Sequence, residues 1–142
     1  MGNKPPSIIV ARGIIQDNRD NVLLLKRING DTHNPDLWEF PGGKLETGQD
    51  LTQGRDREVF EETGLQIAVS NPLAYVESYI IESGRYMGTP YFVVVSLARV
   101  ISGRLQLSTE HAKSAWVEPA DVLDFPLTQE CKNAFDTLKN SF

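Results

Sequence analysis

The chain has 142 residues, of which 40% are hydrophobic and 23% are charged, and this balance fits one globular domain over residues 1–142. Its 14 basic and 19 acidic residues give a net charge of −5, which argues against binding to a nucleic-acid polymer, because such proteins present a basic surface. No apolar run approaches the roughly 18 residues that a membrane span needs. A phosphorylated small molecule stays compatible with the negative charge, since a bound divalent cation reverses the local sign.

The cysteine content indicates a reducing compartment. Cys131 is the only cysteine, so no intrachain disulfide is possible, and proteins of this kind are typically cytoplasmic. The opening residues, MGNKPPSIIV, contain no apolar segment of the signal-peptide type. We therefore expect a cytoplasmic location.

The first forty residues predict a hairpin, a loop and a short strand. Residues 7–16 and 22–27 read as two strands joined by the turn DNRDN, which is rich in Asp and Asn. Residues 28–36 are polar and rich in turn formers, so they predict a loop. The apolar run LWEF at 37–40 predicts a short strand before Pro41.

A helix is predicted over residues 51–63. Asp50 is a favourable N-cap, and Gln53 stands where a capping box places its second member. Gly64 supplies a C-terminal stop. Gly54 costs about 1 kcal/mol relative to alanine inside a helix, so it indicates close packing rather than helix stabilisation.

The second half of the chain predicts further strands and a closing helix. Strand-like runs occupy 65–69, 73–82, 90–101 and 114–119. The run YFVVVSLARV is rich in β-branched residues and predicts a central strand. A helix is predicted over 128–141, with a core-facing stripe at i, i+3, i+4 and i+7 formed by Cys131, Ala134, Phe135 and Leu138. The predicted fold class is α/β, with a mixed sheet and a helix on each face.

The predicted helix at 51–63 concentrates negative charge on one face. Glu58, Glu61 and Glu62 are spaced i, i+3 and i+4, so they share that face, while Val59 and Phe60 point away and are expected to pack on the sheet. Three neighbouring carboxylates repel one another. Protonation or a hard divalent cation relieves the repulsion.

The flanks of the helix favour a cation over a merely solvated acidic face. The run Pro41-Gly42-Gly43 predicts a tight turn at which the backbone can approach a ligand or a metal. Arg57 can also pair with Glu61 at i, i+4. Without the glycine turn, the carboxylates alone would indicate an ordinary solvated helix face.

The stretch GKLETGQDLTQGRDREVFEETGL, residues 43–65, resembles the Nudix box of the Nudix (MutT-like) hydrolases. That pattern is Gly, five residues, Glu, seven residues, Arg-Glu, an aliphatic residue, any residue, Glu-Glu, any residue, Gly and an aliphatic residue. The residues that match in register are Gly43, Arg57, Glu58, Val59, Glu61, Glu62, Gly64 and Leu65. The resemblance implies a Nudix-type α/β/α sandwich with a mixed sheet and a loop–helix–loop catalytic motif.

One position departs from the pattern. The Nudix box has glutamate where this chain has Gln49, which keeps a carbonyl acceptor, adds an amide donor and loses the charge. We expect Gln49 to affect the number of metals and the rate more than the class of reaction.

The resemblance implies a Mg²⁺-dependent pyrophosphohydrolase, with Mn²⁺ as the alternative ion. Segment LWEFPGGKLE resembles in particular the members that cleave nucleoside triphosphates, including oxidised or otherwise non-standard ones, to a nucleoside monophosphate and pyrophosphate. The implied metal ligands are the Gly42 carbonyl, Glu58, Glu61 and Glu62. Glu58 is our first choice of general base, and the implied catalytic set is Glu58, Glu61, Arg57 and Glu110.

Four residues are predicted to contact the substrate. Lys44 follows the glycine turn and Arg27 ends the second strand, so both can meet phosphates, with Arg12 as a lesser candidate; for Arg27 a solvated strand end is the alternative. Gln129 corresponds loosely to a base-reading amide of MutT-type relatives, although ordinary helix polarity explains it as well. His111 is expected to be a surface or packing histidine.

Two other functions stay open at this point. One is a Nudix hydrolase of ADP-ribose, another nucleotide sugar or a dinucleoside polyphosphate. The other is a non-catalytic nucleotide sensor, for which Gln49 is the only support. In each case the partner is a small molecule, and the chain is expected to be a monomer or a homodimer.

Overall fold

The computed structural model describes residues 6–28 and 36–142. Its strands are β1 (Ile8–Gln16), β2 (Val22–Arg27), β3 (Trp38–Glu39), β4 (Gly42–Lys44), β5 (Leu65–Ile80), β6 (Pro90–Gly103) and β7 (His111–Val117). Its helices are α1 (Leu51–Thr63) and α2 (Gln129–Leu138), with short 3₁₀ helices at Pro119–Asp124 and Lys139–Ser141. Most of the predicted loop at 28–36 lies outside the described residues.

The strands form one mixed sheet in the order β3-β2-β1-β6-β5. β1 and β6 run parallel along the whole of β1, and the other neighbouring strands pair antiparallel. On its other edge β1 pairs with β4 along residues 10–12 and with β2 only at Gln16. β2 continues away from β1 between β3 and β7. The predicted hairpin is therefore joined only at its turn, and the sheet forks there.

Alternate residues of β1 serve the two faces of the sheet. Ile14 packs in the cluster that contains Cys131, Ala134 and Phe135 of α2, whereas Ile15 packs with Val59 of α1. The two helices therefore cover opposite faces, and the α/β prediction with a helix on each face is confirmed.

The interior of α2 contains the only cysteine of the chain. Cys131 is fully buried and its sulfur accepts a hydrogen bond from the backbone N–H of Phe40 at 3.5 Å. Burial raises the pKa of its thiol to about 11, despite the opposing charge of Arg12. The predicted packing role of this residue agrees with its position.

α1 begins and ends at the predicted residues. The Asp50 carboxylate accepts the backbone N–H of Gln53 at 2.7 Å, and Gly64 ends the helix with φ of 74°. A Cβ on Gly54 would clash with the Leu45 side chain, which confirms that this glycine allows close packing. The expectation for Phe60 is wrong, because it lies about 100° around the helix from the buried Val59 and is 53% exposed.

Most strand boundaries differ by a few residues from the sequence predictions, and the clearest differences are in β5 and β7. The predicted strands at 65–69 and 73–82 are one strand, β5. Asn71 and Pro72 lie at shifts of register within this strand and do not divide it. Within the described residues β5 pairs with β6 alone, and an edge strand tolerates proline because one side needs no ladder hydrogen bond. β7 starts three residues before the predicted 114 and ends before Pro119, which opens a 3₁₀ helix.

Neither α1 nor α2 is long and apolar enough to cross a membrane, and no other helix in the described part of the chain is.

Candidate active site

The turn between β3 and β4 lies directly against the acidic face of α1. The backbone N–H of Gly42 donates to Oε1 of Glu62 at 2.7 Å. A Cβ added to Gly43 would lie 2.6 Å from Oε2 of Glu58, so a side chain here would push the Glu58 carboxylate away from the turn. The glycine turn and the box carboxylates, which the sequence predicted to cooperate, are therefore in direct contact.

The three box glutamates have different environments. Glu62 is buried, Glu58 is partly buried and the Glu61 side chain is 54% exposed. Burial raises the pKa of Glu62 to about 7, although the Gly42 hydrogen bond opposes the shift. Burial also raises the pKa of Glu58; Arg57 opposes this shift and the charge of Glu61 adds to it. A divalent cation bound here would compete with the proton, because it stabilises the charged form of each carboxylate.

Arg57 links the carboxylates at the surface of α1. Its guanidinium lies 3.1 Å from Glu61, 3.3 Å from Glu58 and 3.4 Å from Glu46. The i, i+4 pair predicted between Arg57 and Glu61 is thus present. We call Arg57, Glu46, Glu58, Glu61 and Gln49 the surface cluster.

Gln49 belongs to this cluster through its carbonyl oxygen. That oxygen accepts the backbone N–H of Glu46 at 3.0 Å and Nη2 of Arg57 at 3.3 Å. A glutamate at this position would offer the same acceptor with a charge. Gln49 therefore keeps the contact with Arg57, but its neutral carbonyl oxygen makes a weaker hydrogen bond to the guanidinium than a carboxylate would.

Glu110 lies in the turn that precedes β7 and is exposed. Its backbone carbonyl accepts the N–H of Ile28 at 3.3 Å, which ties the turn to the end of β2. The charge of Glu110 contributes to the raised pKa of Glu58, behind burial and Glu61. Glu110 thus lies in the turn before the last strand, as the sequence predicted, and its role in the site stays a prediction.

A second group of charges is buried beneath the site, and the sequence reasoning missed it. Arg27 donates to both carboxylate oxygens of Glu39, at 3.0 and 3.1 Å, and Nη2 of Arg12 lies 3.5 Å from the same carboxylate. Nε2 of His111 is 2.8 Å from Oε2 of Glu39. We call Arg12, Arg27, Glu39 and His111 the buried cluster.

The buried cluster keeps Glu39 ionised. Burial alone would raise its pKa, but Arg12, the His111 hydrogen bond and Arg27 together lower it to about 2. The expectation that His111 is a surface or packing residue does not describe this role, since its side chain is 1% exposed and bonded to a carboxylate. The available signal was an acidic residue inside the apolar run LWEF, because a charge in a buried strand requires a partner.

All four predicted substrate-binding residues line one cleft of about 920 Å³, namely Arg12, Arg27, Lys44 and Gln129. Arg12 is nevertheless engaged within the protein, since it donates to the Phe40 carbonyl at 3.0 Å and to Glu130 at 3.2 Å. Gln129 donates to Asn133 at 2.8 Å.

Aromatic side chains complete the cleft wall and its rim. Tyr79 and Tyr91 line the cleft and stack with ring centroids 4.9 Å apart. The Lys44 ammonium lies 5.5 Å from the ring centroid of Tyr86. The cleft therefore combines flat aromatic surfaces with three basic side chains, which suit phosphates, and with the acidic side chains of Glu82 and Glu130.

The donors beside the cleft fit a hard divalent cation. Carboxylates from Glu58, Glu61, Glu62 and Glu110 could supply oxygen ligands, which Mg²⁺ and Mn²⁺ prefer. The raised pKa of Glu62 indicates a carboxylate that a cation would stabilise in its charged form. Potential ligand atoms of Glu39, Glu62 and His111 also lie within 4.8 Å of one another.

Sequence and structure comparisons place this arrangement in a known family. Residues 7–138 match the NUDIX domain, and the chain belongs to the Nudix family, whose hydrolase members act on nucleotide substrates. The predicted resemblance is confirmed, and so is the α/β fold with its mixed sheet.

Individual relatives include two nucleotide-cleaving enzymes. The chain is 34% identical to the CTP pyrophosphohydrolase of Escherichia coli (strain K12), over 84% of this chain and 82% of that protein. It is 40% identical to the 8-oxo-dGTP diphosphatase of Proteus vulgaris, over 41% of this chain and 51% of that protein. Among solved structures, a MutT protein from Methanosarcina mazei Go1 matches with a TM-score of 0.79 and 25% identity, over 99% of this chain and 98% of that one.

Proposed function

We propose that this Nudix hydrolase is a Mg²⁺-dependent pyrophosphohydrolase that cleaves a nucleoside triphosphate to a nucleoside monophosphate and pyrophosphate, with Mn²⁺ as an alternative ion. The observation that carries the proposal is the position of β4. Gly42 and Gly43 touch the box carboxylates, and Lys44, the next residue, lines the cleft that also contains Arg12 and Arg27. A polyphosphate in the cleft would thus lie beside the metal-binding carboxylates.

In this proposal the protein residues have two roles, which are metal binding and proton transfer. We propose that the Gly42 carbonyl, Glu58, Glu61 and Glu62 hold the cation, with Glu110 completing the oxygen set. When bound, the cation neutralises phosphate oxygens and lowers the pKa of water.

Proton transfer is assigned to the carboxylate next to the glycine turn. Glu58 is our proposed general base, because burial raises its pKa and brings it closer to the working range of a base. It takes the proton from a water molecule that attacks one phosphorus of the anhydride, and the other phosphate group leaves. Arg57 orients Glu58 and Glu61 through the contacts already described.

Substrate contacts are assigned to the cleft. Lys44 and Arg27 face the phosphates in this proposal, and Arg12 supports Arg27 through their common partner Glu39. Gln129 lies in the same cleft and is a candidate contact to the base. The similarity to a CTP pyrophosphohydrolase makes CTP the first substrate to test, and the similarity to an 8-oxo-dGTP diphosphatase adds oxidised purine nucleotides.

The proposed setting of the enzyme follows from the same features. We propose one domain over residues 1–142 that acts in the cytoplasm on a small molecule, as a monomer or homodimer, and not on a nucleic-acid polymer. The buried free thiol of Cys131 and the net charge of −5 support these assignments.

A nucleotide panel tests the proposal. The full chain is incubated with Mg²⁺ and each of the common, oxidised and methylated triphosphates, together with ADP-ribose and a dinucleoside polyphosphate, and the products are identified by mass. We expect a monophosphate and pyrophosphate from at least one triphosphate. Faster cleavage of ADP-ribose or a dinucleoside polyphosphate would favour the alternative substrates, and nucleotide binding without any turnover would favour the sensor.

Two matched variants distinguish an effect on the proposed metal site from the general effect of losing one negative charge. Glu62→Gln removes a proposed ligand and should abolish turnover. Glu118→Gln removes one carboxylate at the far end of β7, where Glu118 is exposed and makes no side-chain cap hydrogen bond. That control should retain normal turnover.

A further inference from the structure

The two imidazole nitrogens of His111 have different neighbours. Nε2 contacts Glu39, and Nδ1 faces Glu62, a proposed metal ligand. Nε2 lies 2.8 Å from Oε2 of Glu39, a carboxylate that also accepts two hydrogen bonds from Arg27. Because Glu39 is held ionised and is an acceptor only, Nε2 must carry the proton and donate. In the neutral ring, the lone pair is then on Nδ1.

Nδ1 is buried without a hydrogen-bond partner among the described residues. The His111 side chain is 1% exposed, and Nδ1 lies 3.9 Å from Oε2 of Glu62, which is too long for a hydrogen bond. The other oxygen of Glu62 accepts the N–H of Gly42. A lone pair and a carboxylate oxygen thus face each other across a gap with no hydrogen bond between them.

The width of that gap suits a divalent cation. Bonds of about 2.1 Å from an imidazole nitrogen and from a carboxylate oxygen span up to about 4.2 Å, which exceeds the 3.9 Å between Nδ1 and Oε2. A contact of 3.9 Å therefore places both atoms within bonding range of a single ion between them.

Glu39 is the orienting partner of the histidine and not a third ligand. Oε2 of Glu39 contacts Arg27 and His111, and Oε1 contacts Arg27 and Arg12, so cationic and N–H donors already face all four lone pairs of this carboxylate. Histidines that bind metals almost always donate the other ring N–H to a carboxylate, a carbonyl or water, which fixes the tautomer and the ring orientation. The pair Glu39–His111 has this arrangement, and Nδ1 is the nitrogen left for the metal.

We propose that His111 is a metal ligand of this enzyme, binding through Nδ1 to an ion that it shares with Glu62. The inference rests on the proposed metal dependence and extends it from an all-oxygen site to a mixed nitrogen and oxygen site. An imidazole ligand favours the later first-row metals over Mg²⁺. The enzyme should therefore bind Co²⁺ in clear preference to Mg²⁺.

Pulsed electron paramagnetic resonance of bound Mn²⁺ tests the ligand directly, without substrate or turnover. The chain has two histidines, His33 and His111, and His33 lies outside the described residues. A His33→Gln variant grown with ¹⁵N-histidine has one labelled imidazole. We expect a directly bonded nitrogen coupling that changes from the ¹⁴N to the ¹⁵N pattern on labelling. Absence of that change, or absence of bound Mn²⁺, overturns the inference.

Metal affinities of His111→Gln distinguish a ligand from a residue that only supports the site. By calorimetry, we expect Co²⁺ affinity to fall at least tenfold and Mg²⁺ affinity to change less than threefold. Equal losses for both ions would mean that His111 only positions Glu39 and Glu62, and would overturn the assignment. His33→Gln is the matched control and should bind both ions normally.

The two proposals can fail separately. Turnover of a triphosphate with Mg²⁺ but no imidazole coupling to Mn²⁺ would remove His111 from the ligand set and leave the proposed function intact. If His111→Gln does not fold, the isotope experiment still decides, because it uses the native residue at position 111.

Discussion

The buried cluster and the surface cluster contain the same kinds of side chain and behave differently. In the buried cluster, Glu39 has three partners within 3.5 Å and a pKa of about 2. In the surface cluster, Arg57 is shared among three carboxylates that are 20% to 72% exposed. Burial removes water as a competing partner, so charges there are fixed by their neighbours, whereas surface charges can exchange partners at low cost.

This difference suits different tasks. A fixed cluster can hold Arg27 and His111 in one geometry beside the cleft, because leaving any member without its partner is expensive. A surface cluster can release Glu58 and Glu61 from Arg57 when a cation and a polyphosphate arrive. Glu62 lies between the two, buried like Glu39 and on the same helix face as Glu58.

We expect the largest effect on activity at Glu62, which lies between the two clusters. Glu62→Gln should lower kcat/KM at least 1,000-fold, about 4 kcal/mol of transition-state stabilisation, because it neutralises the most buried of the proposed carboxylate ligands. Steady-state kinetics with Mg²⁺ measures the change, and Glu118→Gln should stay within twofold of the native rate. A loss smaller than tenfold would remove Glu62 from the essential ligands.

Breaking the buried cluster should mainly affect stability. Glu39→Gln removes the negative charge that the buried Arg12 and the half-buried Arg27 share and leaves Arg12 with Glu130, and we expect a loss of about 3 kcal/mol in the free energy of unfolding. Urea unfolding of the metal-free chain gives the value. If Glu39→Gln unfolds like Glu118→Gln, the network contributes nothing net to folding.

Acid should weaken the same network. The pKa of Glu39 is lowered from an ordinary value of 4.5 to about 2, so its contribution to stability is complete above pH 4.5 and is lost as the pH falls towards 2. The loss amounts to at most about 3 kcal/mol. Unfolding measured from pH 5 down to pH 2 with a chelator should show the native chain approaching Glu39→Gln, and a constant difference would contradict the assignment.

The surface cluster should tolerate a comparable change. Arg57→Gln removes three ion pairs at the surface, yet exposed pairs contribute little, so we expect the free energy of unfolding to fall by less than about 1 kcal/mol. A loss as large as that of Glu39→Gln would show that the two clusters are equally rigid.

Gln49→Glu should have the smallest effect. The side-chain carbonyl of Gln49 faces Arg57 and the Glu46 N–H, so a glutamate would strengthen contacts that already exist. We expect kcat to change about threefold or less. A rise of several orders of magnitude from undetectable activity would instead identify the native chain as a lapsed enzyme.

Local signals in the sequence were enough to predict α1 and its caps. Asp50 and Gly64 act on the backbone within a few residues, so no knowledge of the tertiary fold was needed. The register of Glu58 and Glu62 with the Nudix box likewise depends on spacing within one helix. Their contact with the glycine turn was predictable because both lie in one short segment.

Nonlocal contacts were harder to predict. Glu39 and His111 are 72 positions apart in the sequence, and no local pattern predicts the hydrogen bond between them. β5 was predicted as two strands because Asn71 and Pro72 resemble a break, whereas pairing with β6 carries the strand across them. In each case the deciding interaction comes from a distant part of the chain.

The buried position of Cys131 has a practical consequence for experiments on this enzyme. Thiol reagents attack the thiolate, and a fully buried thiol with a pKa of about 11 offers almost none at neutral pH. The native chain should therefore react very little with thiol reagents and give almost no background signal in covalent labelling. A cysteine introduced at the exposed Ser83, on the rim of the cleft, would take up one fluorophore and report nucleotide binding in real time.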